Sequence, residues 1–196
     1  MIIDISQEVF SCKVFPGDDA PKPERAMSIQ KGDICNLTNF SMCAHNGTHA
    51  DAPFHFIDGG STIDRIPLDV FVGDCYVALH AGEVTREAVL DIMGRARAAG
   101  ADRRILIKGD AVMTAQGAQV FAQAGILLIG NESQTFGPPD SPKQVHEILL
   151  GAQVVLLEGI VLAQADEGKY FLNAAPLNLG GCDGAPCRAL LIRQDK

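Results

Sequence analysis

The chain has 196 residues, with 16 Lys+Arg against 24 Asp+Glu, five His, six Cys and no Trp. At roughly 150 residues per domain, residues 1–196 read as one domain, large enough to hold a core without disulfides. The net charge of −8 argues against a nucleic-acid partner, which asks for a basic stripe. The longest apolar stretch, residues 154–163, carries Glu158 and falls short of the ~20 residues that span a bilayer. The start, Met1-Ile-Ile-Asp4, has no basic region of the kind that opens a targeting signal. Cys12, Cys35, Cys43, Cys75, Cys182 and Cys187 form no CxxC pair, so free thiols in a cytoplasmic protein are expected.

In chain order, residues 2–6 read as a strand, Phe15-Pro16-Gly17-Asp18 as a turn, and residues 19–25 as an irregular arm. Residues 75–80 form a β-rich run bounded by Gly73-Asp74 and Ala81-Gly82. Thr85 can cap a helix to about Ala99, with Ala88, Val89, Ile92, Met93 and Ala96 on one face and Gly100 closing it. A strand follows at 104–108, a weaker helix near 115–124, and a strand at 126–129. Ser141-Pro142 serves as an N-cap and first-turn pair for a helix through Leu150. Strands at 154–157 and 188–193 complete the set. The alternation predicts an α/β fold with several parallel strands.

The histidines are the most informative residues, because three of the five lie between 45 and 55. His45 and His49 have the i, i+4 spacing of a helical metal site, but Asn46-Gly47 and Pro53 argue against a helix. A turn running into an extended stretch puts His49 and Asp51 on one side, and the turn can fold His45 back beside them. These three make a compact N, N, O set suited to a divalent metal.

The run His-x-Gly-Thr-His-x-Asp-x-Pro-x-His, residues 45–55, resembles the signature of the cyclase family of metal-dependent hydrolases, to which bacterial kynurenine formamidases and isatin hydrolases belong. Asp4-Ile-Ser, Phe15-Pro-Gly-Asp18, Ile129-Gly-Asn-Glu132, Ser141-Pro-Lys143 with His146, Leu157-Glu158 and Ala175-Pro-Leu177 are similar to further stretches of that family. The resemblance implies a swivelling β/β/α domain with a mixed sheet and an N-terminal arm, assembled into homo-oligomers (a dimer or a tetramer). It implies His45, His49 and Asp51 as metal ligands, His146 and Glu158 completing a second metal position, and His55 as the acid/base. His80 matches no position of the family and reads as structural or exposed.

The residues themselves agree at two points. His146 falls on the helix after Ser141, and Glu158 ends an apolar strand where an unpaired carboxylate is costly to bury. Five protein ligands are too many for one tetrahedral zinc with an open position. The set therefore implies either two metal ions with Asp51 bridging or one higher-coordinate ion such as Mn²⁺; the expected cofactor is Zn²⁺, as one ion or two, with Mn²⁺ as the alternative. Such a site makes hydroxide available at neutral pH, and His55 can carry a proton to a leaving amine. The expected reaction is hydrolysis of an aryl formamide or a related small amide, with a cyclic amide or lactone as the alternative. Phe15 and Phe136 are candidates for an apolar wall around the substrate. Where kynurenine formamidases usually place Trp before Pro-Gly-Asp, this chain has Phe15, and Thr135-Phe-Gly137 replaces a Ser-Val-Asp stretch. Two competing readings remain open at this point. One is a thiol hydrolase using Cys43, and the other is a metal-binding protein without activity.

Overall fold

Strand-forming runs and capped helices alternate along the chain, and the computed structural model describes residues 1–193 of it as follows. The strands are β1 (Ile2–Asp4), β2 (Lys22–Met27), β3 (Leu37–Ser41), β4 (His49–Asp51), β5 (Val72–Leu79) and β6 (Gly82–Val84). The second half runs α1 (Arg86–Ala98), β7 (Arg104–Lys108), β8 (Ala111–Met113), α2 (Ala115–Ala124), β9 (Leu128–Asn131), α3 (Lys143–Gly151) and β10 (Val155–Glu158). It closes with β11 (Gly168–Asn173), β12 (Gly184–Pro186) and β13 (Leu190–Ile192).

Nine strands form one mixed sheet in the order β1-β13-β11-β5-β7-β9-β10-β4-β12. Its centre, β5-β7-β9-β10, is parallel, and each connection between those strands carries one of the three helices. Both wings are antiparallel. Alternate residues of the central strands enter two different cores, as period-2 geometry demands. Tyr76, Ala78, Ile105, Ile107 and Leu156 pack with Val89, Ile92, Phe121, Val145 and Leu149 of the helices. Cys75, Val77, Leu106, Val155 and Leu157 pack on the other face with residues of the wings, such as Ile3, Leu172, Ala185 and Leu191. None of α1, α2 and α3 contributes to that second core, which is filled by the wings and by loop residues such as Ile63 and Phe71.

The helices start where their caps place them. Thr85 Oγ1 accepts from Ala88 N at 3.3 Å, and Thr114 Oγ1 from Gly117 N at 3.0 Å. The third differs from expectation, because Pro142 rather than Ser141 is the cap residue and no side chain caps that helix. The Pro142 carbonyl instead takes the backbone N–H of Val145 and His146. The arm is also more regular than its prolines suggest. Lys22–Met27 pairs with Leu37–Ser41 as an antiparallel ribbon, with a register shift between Arg25 and Met27. No helix among the described residues is long and apolar enough to cross a membrane.

Candidate metal centre

The site is built on β4, which lies between β10 and β12. His49 and Asp51 are two residues apart on this strand and face the same way, as the sequence spacing predicts. Glu158, the last residue of β10, is directly opposite His49, so its carboxylate stands on the same face. His49 Nε2 is 3.4 Å from Glu158 Oε2 and 3.3 Å from Asp51 Oδ1.

Before β4 the chain turns at Gly47, which has φ +63°. A side chain there would be strained, and its Cβ would meet the Cys12 Cβ at 2.9 Å. The turn brings His45 back over the strand, with Nδ1 2.8 Å from Asp51 Oδ1. The third imidazole comes from α3, where His146 Nε2 lies 3.2 Å from Glu158 Oε1 and 3.8 Å from Asp51 Oδ2. His49, Asp51, His146 and Glu158 are all buried.

Backbone carbonyls set the direction of two rings. His49 Nδ1 donates to Gly47 O at 3.0 Å, and His146 Nδ1 donates to Pro142 O at 2.9 Å. A carbonyl only accepts, so Nδ1 is the donor in both rings and Nε2 is the nitrogen each turns into the cage. The Gly47 carbonyl is shared with Gln134 Nε2 at 3.0 Å. Glu158 Oε1 additionally accepts the Phe136 backbone N–H at 2.8 Å.

His55 follows β4 in a short 3₁₀ turn begun by Pro53. Its ring stacks on His45 with centroids 3.9 Å apart and an interplanar angle of 24°. Its Nδ1 is 3.2 Å from Asp183 Oδ2, and the same oxygen lies 2.8 Å from His45 Nε2. Asp183 precedes β12 and is half-buried. Sequence reasoning missed it, since a carboxylate between glycine-rich turns, 138 residues from His45, gives no local pattern.

The cage has the electrostatics of a cation site. Burial pushes the Asp51 carboxyl up, but hydrogen bonds from His45 and His49 outweigh it and hold Asp51 well below the usual carboxylate range. Burial lowers His49, yet Asp51 and Glu158 raise it well above the ordinary imidazole value. The same opposition raises His45 through Asp51 and His146 through Glu158. His55 goes the other way, because burial dominates and lowers it.

A divalent metal fits these residues. Asp51 Oδ2 is buried without a hydrogen-bond partner, which is costly unless a cation satisfies it. Ligand atoms of His49, Asp51 and Glu158 lie within 4.8 Å of one another, as do those of His45, Asp51 and His55. Asp51 belongs to both groups.

A cleft of about 250 Å³ opens onto the cage, lined by Phe15, Phe56 and Pro142 and by Asp18, Gln134 and Thr135. Phe15 therefore lies where an apolar wall was expected. Phe136 does not. Its side chain is 1% exposed and packs in the helical core, while its backbone N–H donates to Glu158 on the site side. His80 is remote, donating through Nε2 to Glu83 O at 2.9 Å.

Residues 3–157 match the family model described as "Putative cyclase". The kynurenine formamidase of Paracidovorax citrulli (strain AAC00-1) is 34% identical over 210 residues, covering 97% of this chain and 96% of its own. A solved structure described as a potential metal-dependent hydrolase with cyclase activity superposes with a TM-score of 0.82 at 26% identity, over 100% of this chain and 99% of the other. Isatin hydrolase A from Labrenzia aggregata, solved with benzyl benzoate, shares the fold with a TM-score of 0.84 at 21% identity, covering 99% of this chain and 94% of its own. With the signature histidines gathered around one buried carboxylate and the match running the length of the chain, this protein belongs to the cyclase family of metal-dependent hydrolases.

Proposed function

We propose that this chain, acting as one domain over residues 1–196, hydrolyses the amide bond of a small aryl formamide or a closely related amide. The observation that carries this reading is the convergence of His45, His49, His146 and Glu158 on Asp51, whose Oδ2 is buried and unpaired. The likeness to a kynurenine formamidase over nearly the whole of both chains supports the substrate class.

His45, His49 and Asp51 would hold one ion, and Asp51, His146 and Glu158 a second. Nitrogen and carboxylate ligands of this kind suit Zn²⁺, with Mn²⁺ as the alternative. Such an ion supplies hydroxide at neutral pH and positive charge opposite the developing oxyanion. The protein's own part is positional. Carbonyls of Gly47 and Pro142 aim two rings inward, and β4 sets His49, Asp51 and Glu158 on one face. His55, stacked on His45 at the cleft, takes the proton from the attacking water and delivers it to the leaving nitrogen. Phe15 and Phe56 give an aromatic ring an apolar seat.

The cytoplasm is the proposed location, consistent with the six free cysteines. A homo-oligomer is proposed because the β2–β3 ribbon is exposed on nearly every residue, with Ile29, Ile34, Leu37 and Phe40 in solvent. A two-stranded ribbon is marginal alone in water. Its root borders an apolar groove of about 420 Å³ lined by Val9, Phe10, Phe40, Met42 and Leu177. Metal analysis of the purified protein, coupled to a hydrolysis screen of formanilides, cyclic amides and lactones, tests the reading. Bound Zn²⁺ or Mn²⁺ with turnover of formanilides is expected. Tight metal with no turnover on any of the three classes would replace it with a binding role, and sizing in solution decides the assembly.

A further inference from the structure

Asp183 lies outside the histidine motif, yet two rings of the site converge on a single one of its atoms. Its backbone is fixed first. The Ala52 N–H donates to the Asp183 carbonyl at 2.9 Å, and the next residue, Gly184, pairs with Asp51 across β4 and β12. The strand that carries Asp51 thus also sets the place of Asp183. A Cβ on Gly184 would meet His45 Cε1 at 2.7 Å, so glycine there lets the His45 ring lie close against this edge strand.

The side chain then acts on both rings. Asp183 Oδ2 is 2.8 Å from His45 Nε2 and 3.2 Å from His55 Nδ1. A carboxylate oxygen accepts and does not donate, so each ring carries its proton on the nitrogen that faces Asp183. His45 keeps its Nδ1 hydrogen bond to Asp51, so both its nitrogens face carboxylates and Asp183 orients that ring, whereas His55 is left with Nε2 free and its tautomer set. For His55 this is the reverse of the tautomer that an imidazole favours in water, and its ring makes no other hydrogen bond among the described residues. The shared acceptor also holds the two rings in their stack.

We propose that Asp183 is a positioning residue that acts through His45 and His55 together, one carboxylate oxygen orienting the His45 ring and selecting the tautomer of His55. The metal-side ring and the proton-carrying ring are thereby set by the same group, at the rim where the carboxylate meets water. The role of His55 rests on the hydrolase reading, whereas the tautomers are measurable without turnover.

The test is imidazole ¹⁵N spectroscopy of the full chain, metal-free and Zn²⁺-loaded, at a pH where the rings are neutral, for wild type and Asp183→Ala. The wild type should show His55 protonated at Nδ1, and the variant should shift it toward Nε2. In the variant, kcat should fall about 10–100-fold with KM little changed, and Zn²⁺ affinity should weaken about tenfold with stoichiometry retained at saturation. Asp183→Glu should recover part of kcat. A wild-type His55 protonated at Nε2 overturns the proposal even if the alanine variant fails to fold, as does a variant whose tautomers and kcat are unchanged. The predicted tautomers in a protein that hydrolyses no amide would remove the hydrolase reading and leave the assignment of Asp183 standing.

Discussion

The two halves of the site are built differently. The inner half, His49, Asp51, His146 and Glu158, is buried at the base of the cleft and mounted on β4, β10 and α3. Its two imidazoles are fixed by backbone carbonyls, which move only if the fold moves. The rim, His45, His55 and Asp183, sits on turns, is partly exposed, and is fixed by one side-chain carboxylate. Burial also plays out differently. Inside, neighbouring carboxylates overcome it and raise both His49 and His146, while at the rim the rings divide, His45 being raised through Asp51 and His55 lowered by burial. A group meant to hold a cation wants rigid negative surroundings. A group meant to pass a proton wants a neutral resting state at the boundary with water.

The largest break in this contrast is expected at Asp51, the carboxylate common to both ligand groups. Asp51→Ala should lose bound metal, read by elemental analysis, and lower turnover by about 10³-fold or more, the several kcal/mol that metal charge supplies to a transition state. Retention of full metal content would show that the inner half binds without its shared carboxylate. His55→Ala should separate the halves instead. Metal content should stay at the wild-type level while kcat drops about 10²–10⁴-fold, the usual contribution of a general acid/base. Loss of metal in that variant would make His55 a ligand, and unchanged kcat would end its proton-carrying role.

How far these halves were legible from sequence follows from the range of the interactions that form them. The placing of His49 and Asp51 on one face of β4 could be read because Gly47, the alternation of His49 with Asp51, and Pro53 are all local signals. Helix α1 was legible for the same reason, since Thr85 caps it as expected, whereas α2 was read from its span alone and its cap, Thr114, came with the structure. Strand β11 has no counterpart in the sequence reading. Its six residues gain their conformation by pairing with β5 from Gly168 opposite Val77 to Asn173 opposite Val72, a long-range match. Asp183 was hidden likewise, because its partners are brought to it by the pairing of β12 with β4. Phe136 shows the limit of composition. A phenylalanine near a site serves as wall or core according to the turn that carries it, and here the hydrogen bond from its N–H to Glu158 goes with a side chain turned into the core.

The seam between the halves is open to a smaller perturbation. Gly184 lies against both, and an added Cβ would come within 2.7 Å of His45 Cε1 and 2.8 Å of the Ala50 carbonyl oxygen. Neither neighbour can retreat freely, because one is tied to Asp51 and Asp183 and the other belongs to a paired strand. Gly184→Ala should cost about 1–3 kcal/mol of stability, the usual range for overpacking, with a fall of about 2–4 °C in Tm for each kcal/mol. A calorimetric melt checks it. An unchanged Tm would mean that the edge strand β12 shifts outward without loss, and the rim would then be softer than its hydrogen bonds imply.

The smallest effect is expected at Cys43, which stands two residues before His45 and is the residue a thiol mechanism would use. Burial pushes its thiol up, away from the thiolate that nucleophilic attack requires. Its backbone N–H is engaged with Asn46 Oδ1 at 2.9 Å, and no imidazole is within hydrogen-bond reach of its sulfur among the described residues. A Cys–His pair needs that contact to activate the nucleophile. Cys43→Ala should therefore leave kcat/KM within about twofold of wild type, corresponding to the ±0.5 kcal/mol of a substitution away from the working groups. Dipicolinate should abolish activity in both proteins, and a thiol alkylator should spare it in both. A collapse of turnover in Cys43→Ala with metal content intact would move the nucleophile from water to sulfur, and with it the centre of the chemistry from the buried cage to the rim.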